Sequence, residues 1–139
     1  DGDILKISIP EGTVVKVQGS ETSANHIMFP ILKSKNSVNY LFISRERVKL
    51  VTSDGTAIYD NKIKFNDLFN VKLFGDLESG FFFSFLDRSS SLLYVYSVES
   101  GKLMTGFPKY GEQNYTLKLI KDGSLLIYSG TNHSSIISY

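Results

Sequence analysis

The chain of 139 residues contains no cysteine and no tryptophan, and has only two histidines, two methionines and three prolines. Without cysteine there are no disulfides, thiolate zinc sites or cysteine nucleophiles, and either redox compartment is compatible with the composition. Long apolar runs are missing too. The most apolar window, residues 81–86 (FFFSFL), is far shorter than the roughly 18 residues a membrane-spanning helix needs. A charge surplus is equally absent: fifteen basic residues against fourteen acidic leave a net charge of +1. The signs are interleaved, so no block reads as an electrostatic tail, and nucleic acid is not an expected partner.

Several site chemistries lack their residues. His26 and His133 are the only histidines, and neither has a second ligand or base at a metal-site or catalytic spacing. His133, in the polar stretch 130–134, reads as an exposed hairpin residue, and His26, opening a strand, as structural. Asp1-Gly2-Asp3 reads as a frayed terminus. Serines 89 to 91 lack the flanking glycines of a nucleophile elbow, and Gly75 and Gly80 are followed by no Gly-Lys-Ser/Thr and no helix pattern. Lys121-Asp122-Gly123 lacks the further carboxylates that would assemble a calcium loop.

What the chain has in quantity is β-forming side chains. Ten Phe and eight Tyr, with many Val, Ile, Ser and Thr, favour pleated strands. The best helical candidate, 66–77, lacks a sustained three-and-four spacing and is interrupted by Gly75, so it reads as a turn followed by a strand. Residues 4–9 alternate in polarity, meet Pro10-Glu11-Gly12 and continue as a strand at 13–18. The segment 26–32 is apolar, with Pro30 marking a strand boundary or a place where no ladder donor is needed. Strands at 40–44, 47–52 and 56–60 are separated by connections so short that they join antiparallel neighbours. Asp54-Gly55 is the sharpest hairpin signal among them. A second meander is expected over 71–74, 80–86 and 92–98, and a third over 115–120, 124–129 and 134–139.

These groups repeat. Leu41, Phe82 and Leu125 stand 41 and 43 residues apart, and the Asp54-Gly55 and Ser100-Gly101 turns are 46 apart. A period in the low forties with about four short strands per unit is that of propeller blades. The expected organisation is one all-β domain over 1–139, with units at about 1–18 (partial), 27–60, 70–104 and 115–139. Its strands number two, four, four and three. Three blade equivalents are too few to close a ring, so the chain is expected either to belong to a longer propeller or to assemble with a second copy.

Residues 93–107 (LYVYSVESGKLMTGF) resemble the repeat of PQQ-like and related bacterial β-propellers: a strand of alternating Tyr and Val, an acidic residue, a polar residue, Gly, and an outward strand ending in an aromatic. The stretch from Gly106-Phe107-Pro108 through Lys121-Asp122-Gly123 to Tyr139 is similar to the closing blade of envelope-associated or secreted bacterial propeller proteins, and 38–59 repeats the pattern. The resemblance implies antiparallel four-stranded meanders arranged as blades, and an extracytoplasmic location. In PQQ-dependent dehydrogenases such repeats end in a tryptophan that docks blade on blade. Phe107 stands there in this chain, so quinone chemistry is not expected; with the histidine and carboxylate sets also lacking, no other cofactor or metal is expected.

Two aromatic groups remain. Phe81, Phe82, Phe83 and Phe85 with Tyr94 and Tyr96 could stack sugars or peptides, but sheet-on-sheet packing is the better account of so many rings on adjacent strands. Phe107, Tyr110 and Tyr115 lie nearer loops and are the surface-binding candidates. The expected function is a non-enzymatic module that presents loops for protein or glycan binding. The alternative is a piece of a larger propeller enzyme, a hydrolase or quinoprotein, whose active site lies outside these residues.

Overall fold

A computed structural model of the chain describes residues 5–8, 13–16, 27–120 and 125–138. Thirteen strands are present among them, their pairings are antiparallel, and there is no helix in the described residues. The chain divides into two compact units, Asp1–Ile63 and Lys64–Tyr139. His26, Asp1 to Asp3 and Lys121 to Gly123 lie outside the described residues.

The first unit contains a two-stranded ribbon, β1 (Leu5–Ser8) with β2 (Thr13–Lys16), and a four-stranded meander of β3 (Ile27–Ser34), β4 (Ser37–Ile43), β5 (Arg47–Val51) and β6 (Ala57–Lys62) in sequential order. Pro30 sits opposite Tyr40 on β3, which forms one edge of the sheet, so the ladder donor it lacks is not needed on the outer side. Leu41, Phe42 and Ile43 are consecutive and all buried, which makes β4 an interior strand on both faces. Between β5 and β6 the chain turns where Asp54-Gly55 indicated. Gly55 has φ +90°, its amide donates to the Thr52 carbonyl at 3.0 Å, and the Asp54 carboxylate accepts the Thr56 amide at 3.1 Å. Arg47 and Asp60 form an ion pair at 2.9 Å across β5 and β6, half-exposed and therefore worth no more than about 1 kcal/mol.

The second unit is built from two sheets. One is a meander of β7 (Leu68–Asp76), β8 (Gly80–Asp87), β9 (Leu92–Ser97) and β10 (Lys109–Tyr110); the other joins β11 (Thr116–Leu119), β12 (Leu125–Ser129) and β13 (Ser134–Ser138). The stretch 66–77, read as turn then strand, contains β7. Alternation along β8 and β9 sorts the side chains by face. Phe82 and Leu86 of β8 with Leu93 and Val95 of β9 join Leu126, Tyr128 and Ile137 in one buried cluster, so both sheets contribute to a common core. Phe83 and Phe85 point the other way, opposite Tyr96 and Tyr94.

The fourth strand of the meander departs from the expected outward strand over 102–107. Pairing with β9 begins at Leu103, opposite Tyr96, and stops. Gly106 takes φ +89°, the Phe107 amide turns back to the Met104 carbonyl at 3.2 Å, and Pro108 has no amide hydrogen to continue the ladder. Pairing resumes only at β10, where Lys109 and Tyr110 lie opposite Leu93 and Leu92.

The β8–β9 turn is fixed by Asp87, a carboxylate only 5% exposed. It accepts from the Ser89 hydroxyl at 2.6 Å, the Ser89 amide at 3.1 Å and the Asn66 amide at 3.4 Å. Burial alone would raise its pKa, but these donors outweigh it and hold the carboxyl below the ordinary Asp value. A carboxyl depressed in the folded state stabilises above its unfolded pKa, about 3.9, and that contribution is lost as pH falls through the folded value. Asp87→Asn is expected to lower stability by about 1–2 kcal/mol at pH 7. The gap from the parent should narrow below about pH 4. Urea midpoints of both proteins at pH 7 and pH 3 check this; a gap that stays constant contradicts the assignment.

Candidate functional site

A concave surface in the second unit lies where β10 and the β12–β13 turn come together. Its construction starts at Gly111, immediately after β10. The Gly111 amide donates to the Ser91 carbonyl at 3.0 Å, and a Cβ at this position would fall 2.7 Å from the Leu93 Cβ and 3.0 Å from the Leu86 Cδ1. Only glycine lets the backbone lie this flat on the core. The next residue, Glu112, receives two kinds of bond. Its amide donates to the Tyr128 hydroxyl at 2.9 Å, and its carboxylate accepts the Thr131 amide at 2.8 Å and the Asn132 amide at 3.0 and 3.1 Å to its two oxygens. The turn between β12 and β13 is thereby clamped to the end of β10. Gly130 is part of the clamp, since a Cβ there would meet the Glu112 Oε1 at 2.7 Å and the Tyr128 hydroxyl at 2.8 Å.

This clamp sets His133 beside two tyrosine rings. The imidazole centroid lies 6.5 Å from that of Tyr110, nearly edge-on at 70°, and 5.7 Å from that of Tyr128. Around them opens a cleft of about 370 Å³, at the small end of the range for small-molecule sites. Leu93, Phe107 and Ile137 form its apolar floor; Lys109, Tyr110, His133 and Ser135 stand round it with Tyr128. The Tyr128 hydroxyl is pushed above the ordinary tyrosine range by burial first, against which the Glu112 amide works, while the neighbouring Glu112 charge adds to the rise. It therefore stays protonated, a neutral phenol with an aromatic body facing the cleft.

The three aromatic candidates have three different fates. Tyr110 is 64% exposed and forms the outer wall of the cleft. Phe107 is 8% exposed and belongs to the core cluster, so the expectation of a surface ring is corrected: the turn at Gly106 directs it inward, and only one side of it forms the floor. Tyr115 is also corrected. It is 2% exposed, and its hydroxyl donates to the Asn70 carbonyl at 2.7 Å and bonds the Ser84 hydroxyl at 2.9 Å. Burial, only partly offset by Ser84, pushes its pKa up to about 12. A ring so enclosed presents no face to a ligand.

Elsewhere the residues take structural positions. Phe82, Phe83 and Phe85 are buried, which excludes them as an open stacking platform and leaves packing as their role. Ser89 and Ser90 serve the Asp87 turn. His133 is exposed in its hairpin turn as read from the sequence, yet it is also a wall of the cleft. Glu112, Tyr128 and Ser135 were not distinguishable in the sequence. No motif marks them; the bonding partners of Glu112 are 16 to 20 residues away in the chain.

Among the described residues no group of three or more His, Asp or Glu is arranged to hold a metal ion, and no helix is long and apolar enough to cross a membrane. Compared with protein-family models and with curated proteins, the chain matches none.

Proposed function

We propose that the chain is a non-enzymatic module of blade-like β-meanders that binds glycans, and that the Tyr110 cleft is its binding site. The observation that carries this reading is Tyr110 itself, a large ring 64% exposed beside an apolar floor, with hydroxyl and imidazole groups around it. A pyranose ring has the matching surface: one face of polarised C–H groups, which packs on the electron-rich face of an aromatic ring, and a rim of hydroxyls for hydrogen bonding. Ser135 and the His133 imidazole supply donors and acceptors at the edge. The blade-like character is supported by the positions of Leu41, Phe82 and Leu125, each on the second strand of its own meander.

Calorimetric titration of the intact chain against a panel of neutral and acidic oligosaccharides tests the reading. At least one of them should bind, and Tyr110→Ala should weaken that binding by about tenfold or more, since an aromatic contact of this kind contributes about 0.5–1.5 kcal/mol beyond the apolar area it covers. The fold should be unchanged because the ring is exposed. Absence of binding across the panel, or an unchanged affinity in Tyr110→Ala, would contradict it.

A further inference from the structure

We infer that the cleft selects sugars bearing a carboxylate, hexuronate residues of an acidic glycan. This rests on the glycan-binding reading and adds the charge of the ligand. Lys109 carries the argument. It lies opposite Leu93 on an edge strand, and its side chain passes close to Gly106, where a Cβ would be 3.8 Å from the Lys109 Cε and 3.7 Å from Ile137. The stem thus runs along the floor of the cleft, and the ammonium is exposed at its margin.

No acidic side chain lines the cleft to balance it. Glu112 is close in sequence, but its carboxylate is committed to the Thr131 and Asn132 amides on the side of the turn. Lys109 takes part in neither the Arg47–Asp60 nor the Arg88–Asp67 ion pair. A lysine ammonium beside an aromatic wall, with the Ser135 hydroxyl also at the cleft, matches a pyranose whose exocyclic carbon is oxidised to a carboxylate: the ring stacks and the carboxylate meets the ammonium. A structural alternative exists in which an inward-pointing lysine on an edge strand merely discourages pairing with other chains. In that case the charge of Lys109 has no effect on ligand affinity.

The test is calorimetric titration of the intact chain with oligouronides of galacturonate, glucuronate and mannuronate, each beside its neutral hexose counterpart, at low and at high salt. At least one acidic sugar should bind about five- to tenfold more tightly than its neutral counterpart at low salt. Most of that difference should disappear near 1 M salt, where charges are screened within about 3 Å. Lys109→Gln should remove the preference, so that acidic and neutral sugars bind the variant with equal affinity. Equal affinity for acidic and neutral sugars, or a preference that survives Lys109→Gln, overturns the inference and leaves glycan binding standing. Failure of every sugar to bind the parent chain overturns both.

Discussion

Tyr115→Ala is expected to lower the stability of the second unit by about 3–5 kcal/mol, the cost of removing a large ring from a closed core. The magnitude follows from what the ring joins. Its body belongs to the core cluster, its hydroxyl connects Ser84 of β8 with the Asn70 carbonyl of β7, and the Lys72 ammonium lies 4.6 Å over its face while donating to the Tyr115 carbonyl. Asn70, held at φ +55°, returns a bond from its side-chain amide to the Gln113 carbonyl at 3.0 Å. The start of β11 is therefore fastened to β7 and β8 through one side chain. Tyr115→Phe keeps the volume and removes the hydroxyl, so it should cost only about 1–2 kcal/mol. Adding Ser84→Ala to it should cost less than the two separate changes combined, because the buried serine hydroxyl is no longer left without a partner. Urea unfolding of the intact proteins measures all three. A loss below about 1 kcal/mol for Tyr115→Ala would contradict the placement of this ring.

A loss of about 3–5 kcal/mol is also expected for Phe85→Ala, by a different route. Phe85 is completely buried on the face of β8 opposite to the Tyr115 cluster. It stacks with Tyr94 at 5.3 Å and Tyr96 at 5.9 Å, and meets Phe65 edge-on at 4.6 Å; Phe83 repeats the arrangement with Tyr96 at 5.1 Å. Cross-strand aromatic pairs of this geometry stabilise a sheet beyond the area they bury. Phe85→Leu keeps most of the volume and should cost roughly 1.5 kcal/mol. Glycan affinity should be the same in Phe85→Leu as in the parent, because the ladder is packing and the ligand is taken elsewhere. A change in affinity without unfolding would return the ladder to consideration as a binding surface.

Much of the architecture was legible in the sequence, for identifiable reasons. The strands of β4, β5 and β6 and of β8 and β9 are separated by short polar turns, Asp54-Gly55 among them, and connections of that length admit only antiparallel neighbours. Grouping into sheets of four, four and three strands followed from the same punctuation. The path over 102–110 was less legible, because alternation was visible while the interruption at Gly106 and Pro108 depends on backbone geometry that alternation does not encode. Phe107 and Tyr115 show the same limit. Both lie near loops in the chain, but whether a loop-proximal ring turns inward is decided by partners distant in sequence, Ile137 and Tyr128 in the shared core and Asn70 and Ser84 at the Tyr115 hydroxyl. The cleft needs Glu112 to reach the turn at Thr131 and Asn132, a contact across about 20 residues that leaves no local pattern.

The claim that the Tyr110 cleft, and not the aromatic ladder, receives the ligand can be read directly from the tyrosine rings. With ring-labelled tyrosine in the intact chain, NMR titration with a glycan that binds should move the Tyr110 resonances most and those of Tyr128 less, and leave Tyr94 and Tyr96 in place. Shifts concentrated at Tyr94 and Tyr96 with Tyr110 unmoved would contradict it.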